Sequence, residues 1–581
     1  MSDVLVFIVA GMTLGSLYGL TATGLTLTYK TSGILNFAHG ALAIVAVDAY
    51  IYLSINRGWS WELSAFVAIV IVGALMGIVL ERLGRSVVSA APALRVVAMV
   101  GLSVAITGAT ALIGRRLIGS HPHFHPPPLP GTTVKLAGVY VGKDQLIVIA
   151  VSLVAVAALW LFLRGSRTGV ALRAVVDDPD LVDASGRDPR MLRRVAWCIG
   201  AMFAALSGVL LAISPTFGGG AGGLSLLVVP AFGAAAIGRF KSLPWSYAGG
   251  LLIGISASLM TRYLTTSWLL AVPSSLPVIV LFVVLLATPK RHLAERWQIR
   301  RRMVSTPAPL PTRYLLTGGA LVTIVLLALP SFSGFQIGVY TTWLIYAMIF
   351  ASLGLLVRTS GQVSLCQLGL AAVGASTFAH LSGGSGLPWG IALLGAAIVT
   401  AAVGAIIAVS AIRLAGVFLA LATLAFGSIL QQFFYTSSLM FGRSIALQAT
   451  RPSFARGDAA FHDLVVVIFV VMIVGVVTLG RTRLGRLLRG LADAPLALEA
   501  QGASINVTKL VVFALSAGLA GIAGALLASL NNVAASQPFS PQASLTMVAV
   551  LFVLPFGEPL ASLAAGAAFY LLPIKLNIQN V

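Results

Sequence analysis

The chain contains few charged residues, few acids and only two cysteines. Charged residues make up 9% of the sequence and hydrophobic residues 58%, whereas a soluble globular protein has about 25% charged residues. Cys198 and Cys366 fall in apolar runs far apart in the sequence. A disulfide or metal framework is therefore not expected, and both cysteines fit small core residues. This composition excludes a water-soluble globular protein.

Motifs for ATP binding and catalysis are also missing. The sequence has no G-x-x-x-x-G-K-S/T phosphate loop, so the chain cannot cradle ATP by that route. It has no Ser/His/Asp ordering, no metal-ligand spacing on a helix and no paired carboxylates in an apolar run. Acids near the apolar runs are few, which argues against a proton- or sodium-coupled carrier, because such carriers keep carboxylates at mid-depth. We therefore expect neither an enzyme nor a bound cofactor.

Long apolar runs dominate the sequence instead. Runs of about 20 residues, the length that crosses a hydrocarbon core of roughly 30 Å as a helix, recur along the whole chain. Nine such segments precede a central polar stretch and nine follow it. Unbroken runs favour helices, because a transmembrane β-barrel needs short alternating strands. The sequence predicts an all-α polytopic membrane protein with about 16 to 18 hydrophobic segments, the shorter of which suit re-entrant or broken helices.

One polar segment occurs twice, 316 residues apart. Residues 167–186 read RTGVALRAVVDDPDLVDASG, and residues 483–502 read RLGRLLRGLADAPLALEAQG. We call these two stretches the duplicated segments. Their matched positions are Gly169 and Gly485, Arg173 and Arg489, Asp177 and Asp493, Pro179 and Pro495, Asp183 and Glu499, and Gly186 and Gly502. The repeat predicts two halves of one fold, residues 1–289 and 314–581, joined by a basic, then Pro-rich linker at 290–313.

The distribution of basic residues predicts the orientation. The net charge of +21 resides mainly in a few short loops, which is typical of the positive-inside rule and not of a nucleic-acid surface. If the Arg-rich loop 164–194 is cytoplasmic, the linker and the second duplicated segment are cytoplasmic too, and residue 1 lies outside. The halves are then parallel repeats about an axis along the membrane normal. We expect a multi-pass protein of the cell membrane.

Each duplicated segment has the features of a short surface helix. Asp177 and Asp493 precede a proline by two residues, so we expect them to cap a helix whose first turn holds that proline. Gly186 and Gly502 are placed to end this helix. Charged side chains would then be displayed to a partner. The alternative is an ordinary basic loop, which strict duplication at matching positions disfavours.

A second polar group follows the first apolar run of each half. The first half has Asn36 and His39, and the second has Gln362, Ser364 and Gln367. Polar groups at membrane depth are costly and usually face a cavity or another helix. Two interpretations stay open: these residues line a solute pathway or gate, or they fix helix packing by hydrogen bonds.

One stretch of the first half is rich in histidine and proline. His121, His123 and His125 alternate with other residues just before a proline run. They are weak candidates for binding Zn²⁺ or Cu²⁺, and an exposed Pro-rich connection is the simpler interpretation. Between Thr-Ser-Gly (31–33 and 359–361) and the duplicated segment, the first half is 12 residues longer than the second. This stretch accounts for the difference.

These residues resemble a known family. Asn36-Phe37-Ala38-His39-Gly40 is similar to the N-F-A-H-G signature of the first permease of branched-chain amino-acid ABC importers. Residues 358–369 resemble the corresponding part of the second permease, and the duplicated segments resemble the coupling segments of ABC-importer permeases. The chain is thus identified as both permeases fused, with residues 1–289 and 314–581 as the permease halves.

The resemblance implies a function and partners. It implies inward transport of branched-chain or related hydrophobic amino acids by alternating access, with two cytoplasmic ABC ATPases, which use ATP and Mg²⁺, and an extracytoplasmic substrate-binding protein. The twelve matched positions of the duplicated segments would then belong to the loops that couple to the ATPases, with Arg173, Arg489, Asp177 and Asp493 in contact or cap roles. An alternative is the same permease role for urea, short amides, or aromatic or other carboxylates. A more distant alternative is a secondary carrier or channel.

Overall fold

Helices of the chain divide into two units, the first ending at Thr288 and the second beginning at Pro289. The computed structural model describes residues 2–87, 92–117, 132–136, 139–214, 228–264, 266, 269–288, 312–442, 444–554 and 557–575. The linker 290–311 and the three histidines His121, His123 and His125 lie outside the described residues.

The first unit consists of helices and one short β-ribbon. Its elements are α1 (Ser2–Ser32), α2 (His39–Ile51), α3 (Trp61–Phe66), α4 (Gly73–Val87), α5 (Pro92–Leu117), β1 (Thr133–Leu136), β2 (Val139–Gly142), α6 (Lys143–Gly165), α7 (Arg167–Asp177), α8 (Pro179–Ala184), α9 (Pro189–Ile213), α10 (Val228–Ile237), α11 (Leu243–Tyr263) and α12 (Val272–Ala287). A π-helical turn at Tyr52–Asn56 extends α2, and another at Val67–Val72 joins α3 to α4. The antiparallel pair of β1 and β2 was not expected from the sequence.

The second unit repeats most of this helix order after one additional helix, but its β-strands lie elsewhere and its described residues have no counterpart of α12. Its elements are α13 (Thr312–Ser333), α14 (Ile337–Gly354), α15 (Gln367–Ala379), α16 (Trp389–Arg413), α17 (Gly416–Ile429), β3 (Ala446–Gln448), α18 (Asp458–Arg481), α19 (Arg483–Asp493), α20 (Pro495–Ala500), α21 (Ile505–Asn531), β4 (Val533–Ala535), α22 (Pro541–Val553), α23 (Leu560–Gly566) and α24 (Leu572–Lys575). The π-helical turns Leu355–Thr359, His380–Gly384, Leu430–Phe434 and Ala567–Leu571 extend α14, α15, α17 and α23. Strand β3 pairs with β4 in antiparallel register.

The predicted hydrophobic segments are confirmed as helices. Counted with their π-helical continuations, twelve of the described helices are long and apolar enough to cross a membrane. Shorter apolar helices include α10 and α22, which occupy equivalent places in the two units. At 10 and 13 residues they are shorter than the roughly 20 residues of a full span. The expectation of an all-α membrane protein with some incomplete spans is therefore correct.

The first long helix is the centre of each unit. In the first unit α1 packs against α6, α9, α10 and α11, and in the second α14 packs against α18, α21, α22 and α23. The helix after the duplicated segment is the other shared support: α9 contacts α2 and α4, and α21 contacts α15 and α16. Equivalent helices therefore have equivalent neighbours, so the sequence repeat is also a repeat of packing.

The additional helix α13 is attached to its unit by a histidine. Pro330 lies inside α13 and has no N–H, so the carbonyl of Leu326 loses its partner one turn earlier. His462 of α18, which is fully buried, lies with Nε2 3.0 Å from this carbonyl oxygen. Because a carbonyl only accepts, Nε2 donates, and Nδ1 lies 2.9 Å from Oγ1 of Thr341 in α14. The ring thus joins three helices.

This arrangement predicts that the cost of losing His462 depends on Pro330. His462→Leu should destabilise the second unit by about 1–3 kcal/mol, because the Leu326 carbonyl becomes an unsatisfied buried group. In a Pro330→Ala background the helix supplies its own donor, and the same change should cost clearly less. Thermal unfolding of the four purified variants in detergent gives the coupling between the two sites. Equal costs in both backgrounds would contradict the proposed pairing.

Candidate functional site

Each duplicated segment folds into the same pair of short helices. The first follows α6 through Ser166 and forms α7 and α8, and the second follows α18 through Thr482 and forms α19 and α20. The Oγ of Ser166 caps α7 by accepting from the N–H of Gly169 at 2.8 Å. Pro179 and Pro495 begin the second short helix of each copy, where a proline leaves no helical hydrogen bond unmade.

Gly169 and Gly485 lie where the first short helix meets the long helix before it. A Cβ on Gly169 would be 2.6 Å from Cα of Leu163, and a Cβ on Gly485 would be 2.5 Å from the carbonyl oxygen of Leu479. Both neighbours are backbone atoms, which cannot rotate away as a side chain can. This close approach requires glycine at the matched position of each copy.

The prediction that Asp177 and Asp493 are helix caps is wrong. They are the last residues of α7 and α19. The cap of α8 is the next residue, Asp178, whose Oδ1 accepts from the N–H of Asp180 at 3.0 Å. An N-cap directly precedes the first helical residue, here the proline, so an acid two positions earlier cannot occupy it. In the second copy the cap position is Ala494, which has no side-chain acceptor.

The prediction that Gly186 and Gly502 end the second short helix is confirmed. Their φ angles are +80° and +78°, in the left-handed region that favours glycine. In the first copy the N–H of Gly186 donates to Asp183 at 2.9 Å, and the next N–H donates five residues back. The second copy makes the same two bonds. Both helices therefore end in a Schellman motif.

The two copies bury matched apolar side chains and expose matched charges. Buried at corresponding positions are Leu172 and Leu488, Val175 and Leu491, and Val182 and Leu498. Exposed at corresponding positions are Arg173 and Arg489, Asp177 and Asp493, and Asp183 and Glu499. The apolar face holds each segment to its unit, and the charged face is available to another protein.

Each duplicated segment contacts the first long helix of its own unit. Helix α7 packs against α1, and α19 packs against the π-helical end of α14. In the second unit the chain then turns at Gly361, where φ is +68°. A Cβ on Gly361 would be 3.2 Å from Cα of Ala492 in α19. The duplicated segment of the second unit therefore touches the break between α14 and α15.

The long helix after each segment is fixed by a charged side chain, with different chemistry in the two units. In the first unit Glu81 of α4, which is 5% exposed, pairs with Arg85 at 2.6 Å and lies 3.6 Å from Nε of Arg194 in α9. In the second unit Nζ of Lys509 in α21 donates to the carbonyl oxygen of Ala411 at 2.6 Å. This carbonyl is at the C-terminal end of α16, where the helix dipole favours a cation.

Arg358 joins the end of the first long helix of the second unit to α22. Its Nη2 donates to the carbonyl oxygen of Leu554 at 2.6 Å and also to that of Leu551. The carboxyl of Glu558 lies against the same helix at Gly354, and it interacts electrostatically with the guanidinium. One side chain thus connects α14, the end of α22 and the turn before α23.

The pathway candidates of the first unit are buried. Asn36 is 1% exposed, and its Oδ1 accepts from the N–H of Ala38 at 3.0 Å just before α2. His39 is the first residue of α2 and is 0% exposed. A Cβ on Gly24 of α1 would be 3.2 Å from Cε1 of His39 and 2.8 Å from the carbonyl oxygen of Gly200 in α9. The ring therefore sits beside two helices whose glycines allow a close approach.

The candidates of the second unit lie in the break before α15. Gln362 is half-buried and donates to the carbonyl oxygen of Ser360 at 3.4 Å. Ser364 is fully buried beside Cys366, with Oγ 3.4 Å from Sγ. Gln367, also fully buried, is the first residue of α15. A role for these residues in a solute pathway stays a prediction.

Gln367 occupies the position of His39 but is held by hydrogen bonds. Its Nε2 donates to Oγ of Ser352 in α14 at 2.8 Å and to Oγ of Ser516 in α21 at 3.0 Å. Ser516 in turn donates to the carbonyl of Ser352 at 2.8 Å. Aligned between the halves, these serines replace the two glycines beside His39. We call this meeting point the three-helix junction; it contains one histidine and two glycines in the first unit, and one glutamine and two serines in the second.

The sequence did not identify several residues that organise these sites, namely Asp178, Lys509, Ser352 and Ser516. Within the described ranges no group of three His, Cys, Asp or Glu side chains is close enough to hold a metal ion. Cys198 and Cys366 are not joined in a disulfide.

Two helical units of one fold, each with membrane-spanning helices and an exposed duplicated segment, define a polytopic membrane transport protein of the permease class. The family described as "Branched-chain amino acid transport system / permease component" matches residues 7–289 and again residues 336–578. The chain belongs to this family, and it contains two copies of the family's permease domain.

Curated relatives each match about half of this chain. The high-affinity branched-chain amino acid transport system permease protein LivH of Escherichia coli (strain K12) is 30% identical over 287 residues, which cover 47% of this chain and 91% of LivH. BraD of Pseudomonas aeruginosa is 30% identical over 43% of this chain and 83% of its own length. LivM of Salmonella typhimurium is 28% identical over 40% of this chain and 61% of its own length.

Proposed function

We propose that this chain is the membrane part of an ABC importer that carries branched-chain or related hydrophobic amino acids into the cell. Two cytoplasmic ATPases would dock on the duplicated segments and supply ATP hydrolysis, and an extracytoplasmic binding protein would deliver the solute. The observation that carries the proposal is the pair of duplicated segments, which expose the same charges from the same backbone geometry in a chain of this permease family.

The packing of the segments supports a mechanical role. A short helix that is held by an apolar face and touches the first long helix can pass a displacement from a bound partner to the spanning helices. ATP binding would bring the two ATPases together, and the duplicated segments would follow. The spanning helices would then exchange between outward- and inward-open arrangements.

The test is transport by the reconstituted complex. The chain is co-expressed with a candidate ATPase pair and binding protein, purified through a tag on this chain, and placed in proteoliposomes. We expect the ATPases to co-purify, and labelled leucine uptake to require ATP and the binding protein. Uptake in cells should be abolished by ATP depletion and preserved with an uncoupler.

The rival functions give different results in the same experiment. Uptake of urea, an amide or an aromatic carboxylate in place of leucine would keep the ABC role and change the cargo. Uptake that stops with an uncoupler and proceeds without the ATPases would indicate a secondary carrier and would overturn the proposal. A multi-pass cell-membrane location with the N-terminus outside is part of the same proposal, because the duplicated segments must then face the cytoplasm.

A further inference from the structure

The three-helix junction is the place in each unit where the break after the first long helix ends and the next helix begins. In the second unit this break runs from Gly361 to Cys366. It has the duplicated segment on one side, through Ala492, and Gln367 on the other. Other contacts in the break also hold the backbone: the N–H of Leu365 donates to Thr423 of α17 at 3.0 Å. The break is therefore a short connection that is hydrogen-bonded to α17 and that touches the duplicated segment at Gly361.

We propose that Gln367, and His39 at the equivalent position, are positioning residues for transport. Gln367 holds the start of the second helix by hydrogen bonds to the first long helix and to the helix after the duplicated segment. His39 packs beside the first long helix instead, with Cε1 3.2 Å from the position of a Cβ on Gly24. A movement of the duplicated segment is then converted into rearrangement of the break, because the second helix cannot simply move along with it. This inference rests on the proposed docking of ATPases at the duplicated segments.

The residues that form the junction differ between the two units in a way that supports an anchoring role for Gln367 and His39. In the second unit both hydrogens of the Gln367 amide are used, one for Ser352 and one for Ser516. In the first unit the larger imidazole occurs with a glycine at each of these positions, and a Cβ on Gly24 would be 3.2 Å from Cε1 of the His39 ring. The size of the anchoring side chain and the size of its neighbours thus change together.

The three junction positions differ together between the units, so exchanging their residues gives a matched set of variants for positions 367, 352 and 516. Gln367→His alone places an imidazole against two serine side chains. Gln367→His with Ser352→Gly and Ser516→Gly gives the second unit the composition of the first. Gln367→Met keeps nearly the same volume and removes both donors, so it separates the hydrogen bonds from the packing. The double variant Ser352→Gly/Ser516→Gly is the control for the glycines alone.

The measurement uses the full complex with its ATPases in proteoliposomes. We compare leucine uptake per ATP hydrolysed, and the nucleotide dependence of thiol labelling at the break. The label is placed by Gln362→Cys in a Cys198→Ala/Cys366→Ala background. We expect Gln367→His and Gln367→Met to lower uptake per ATP about ten-fold, and to make labelling at position 362 the same with and without a trapped nucleotide. The triple variant should recover most of both signals.

The outcomes separate this inference from the proposed function. If the unmodified complex labels in a nucleotide-dependent manner but carries no leucine, the cargo is wrong and the labelling still tests the junction. If the ATPases do not co-purify with the unmodified chain, the docking proposal fails. If they co-purify but labelling at position 362 does not depend on nucleotide, the break does not rearrange and the junction inference is overturned. The junction inference is overturned if Gln367→Met keeps normal uptake per ATP and nucleotide-dependent labelling. It is also overturned if the triple variant recovers neither more uptake per ATP nor more nucleotide-dependent labelling than Gln367→His shows.

Discussion

Gly169→Ala should abolish transport, and Gly485→Ala should do the same in the second unit. The new methyl group would lie 2.6 Å from the backbone of Leu163 in the first case and 2.5 Å from that of Leu479 in the second. Each clash is with a main chain that itself belongs to a packed helix, so the short helix must shift away from its unit. Overpacking of this kind costs up to about 3 kcal/mol, and more where backbone must move. The exposed charges would move with it.

The matched control for this prediction is Gly186→Ala. No described atom lies within 4 Å of a Cβ at this position, so alanine brings only the cost of its φ of +80°, about 1–2 kcal/mol. We expect this variant to keep ATPase binding and most of its leucine uptake. Co-purification of the ATPases and uptake into proteoliposomes measure both variants. An equal loss of ATPase binding and leucine uptake in Gly169→Ala and Gly186→Ala would show that the close backbone contact is not the reason why Gly169 is required.

The second large effect is expected for Arg358→Leu. The substitution removes both hydrogen bonds that Nη2 donates to the end of α22, and it leaves the Glu558 carboxyl without the nearby positive charge. Leaving a buried carbonyl without its donor costs about 1–3 kcal/mol. We expect the variant to be poorly expressed or to unfold at a clearly lower temperature in detergent, measured by the loss of monodisperse protein on heating.

Two further variants locate the origin of that loss. Both hydrogen bonds of Arg358 come from the single nitrogen Nη2, and an ammonium group can also donate more than once. Arg358→Lys therefore keeps the charge and the donors on a shorter side chain, so its stability should lie between that of the wild type and that of Arg358→Leu. The first unit has Lys30 at the equivalent position, which makes this change a conservative one. Adding Glu558→Gln to Arg358→Leu should recover part of the stability. If it recovers none, the cost comes from the α22 carbonyls alone.

The sequence predicted the features that follow from hydrophobic periodicity and from the positions of glycine and proline. The apolar runs, the prolines that begin α8 and α20, and the glycines that end them follow from local rules, so they were predicted correctly. The cap of α8 was assigned one residue too early, because the duplication drew attention to Asp177. Its matched acid is Asp493, whereas Asp178 is matched by an alanine. Conservation between copies is evidence for a shared role, and capping is not shared here.

The contacts between distant parts of the chain could not be predicted in this way. Gln367 binds residues 15 and 149 positions away, and no local pattern links them. The sequence signal for this contact lies in the repeat. When the longer connection of the first half is allowed for, His39 aligns with Gln367, and Gly24 and Gly200 align with Ser352 and Ser516. Similarly, the partner of His462 is a carbonyl exposed by Pro330, and a carbonyl has no sequence signature.

The two compositions of the three-helix junction bear on how the halves diverged from a common ancestor. In the first unit a Cβ on Gly24 would lie 2.8 Å from the carbonyl oxygen of Gly200, and in the second unit the loss of either serine removes a partner of Gln367. We therefore expect exchanges at one position at a time to be unfavourable and the three positions to be epistatic. Chimaeras that exchange helices between the halves should survive only when all three positions are transferred together.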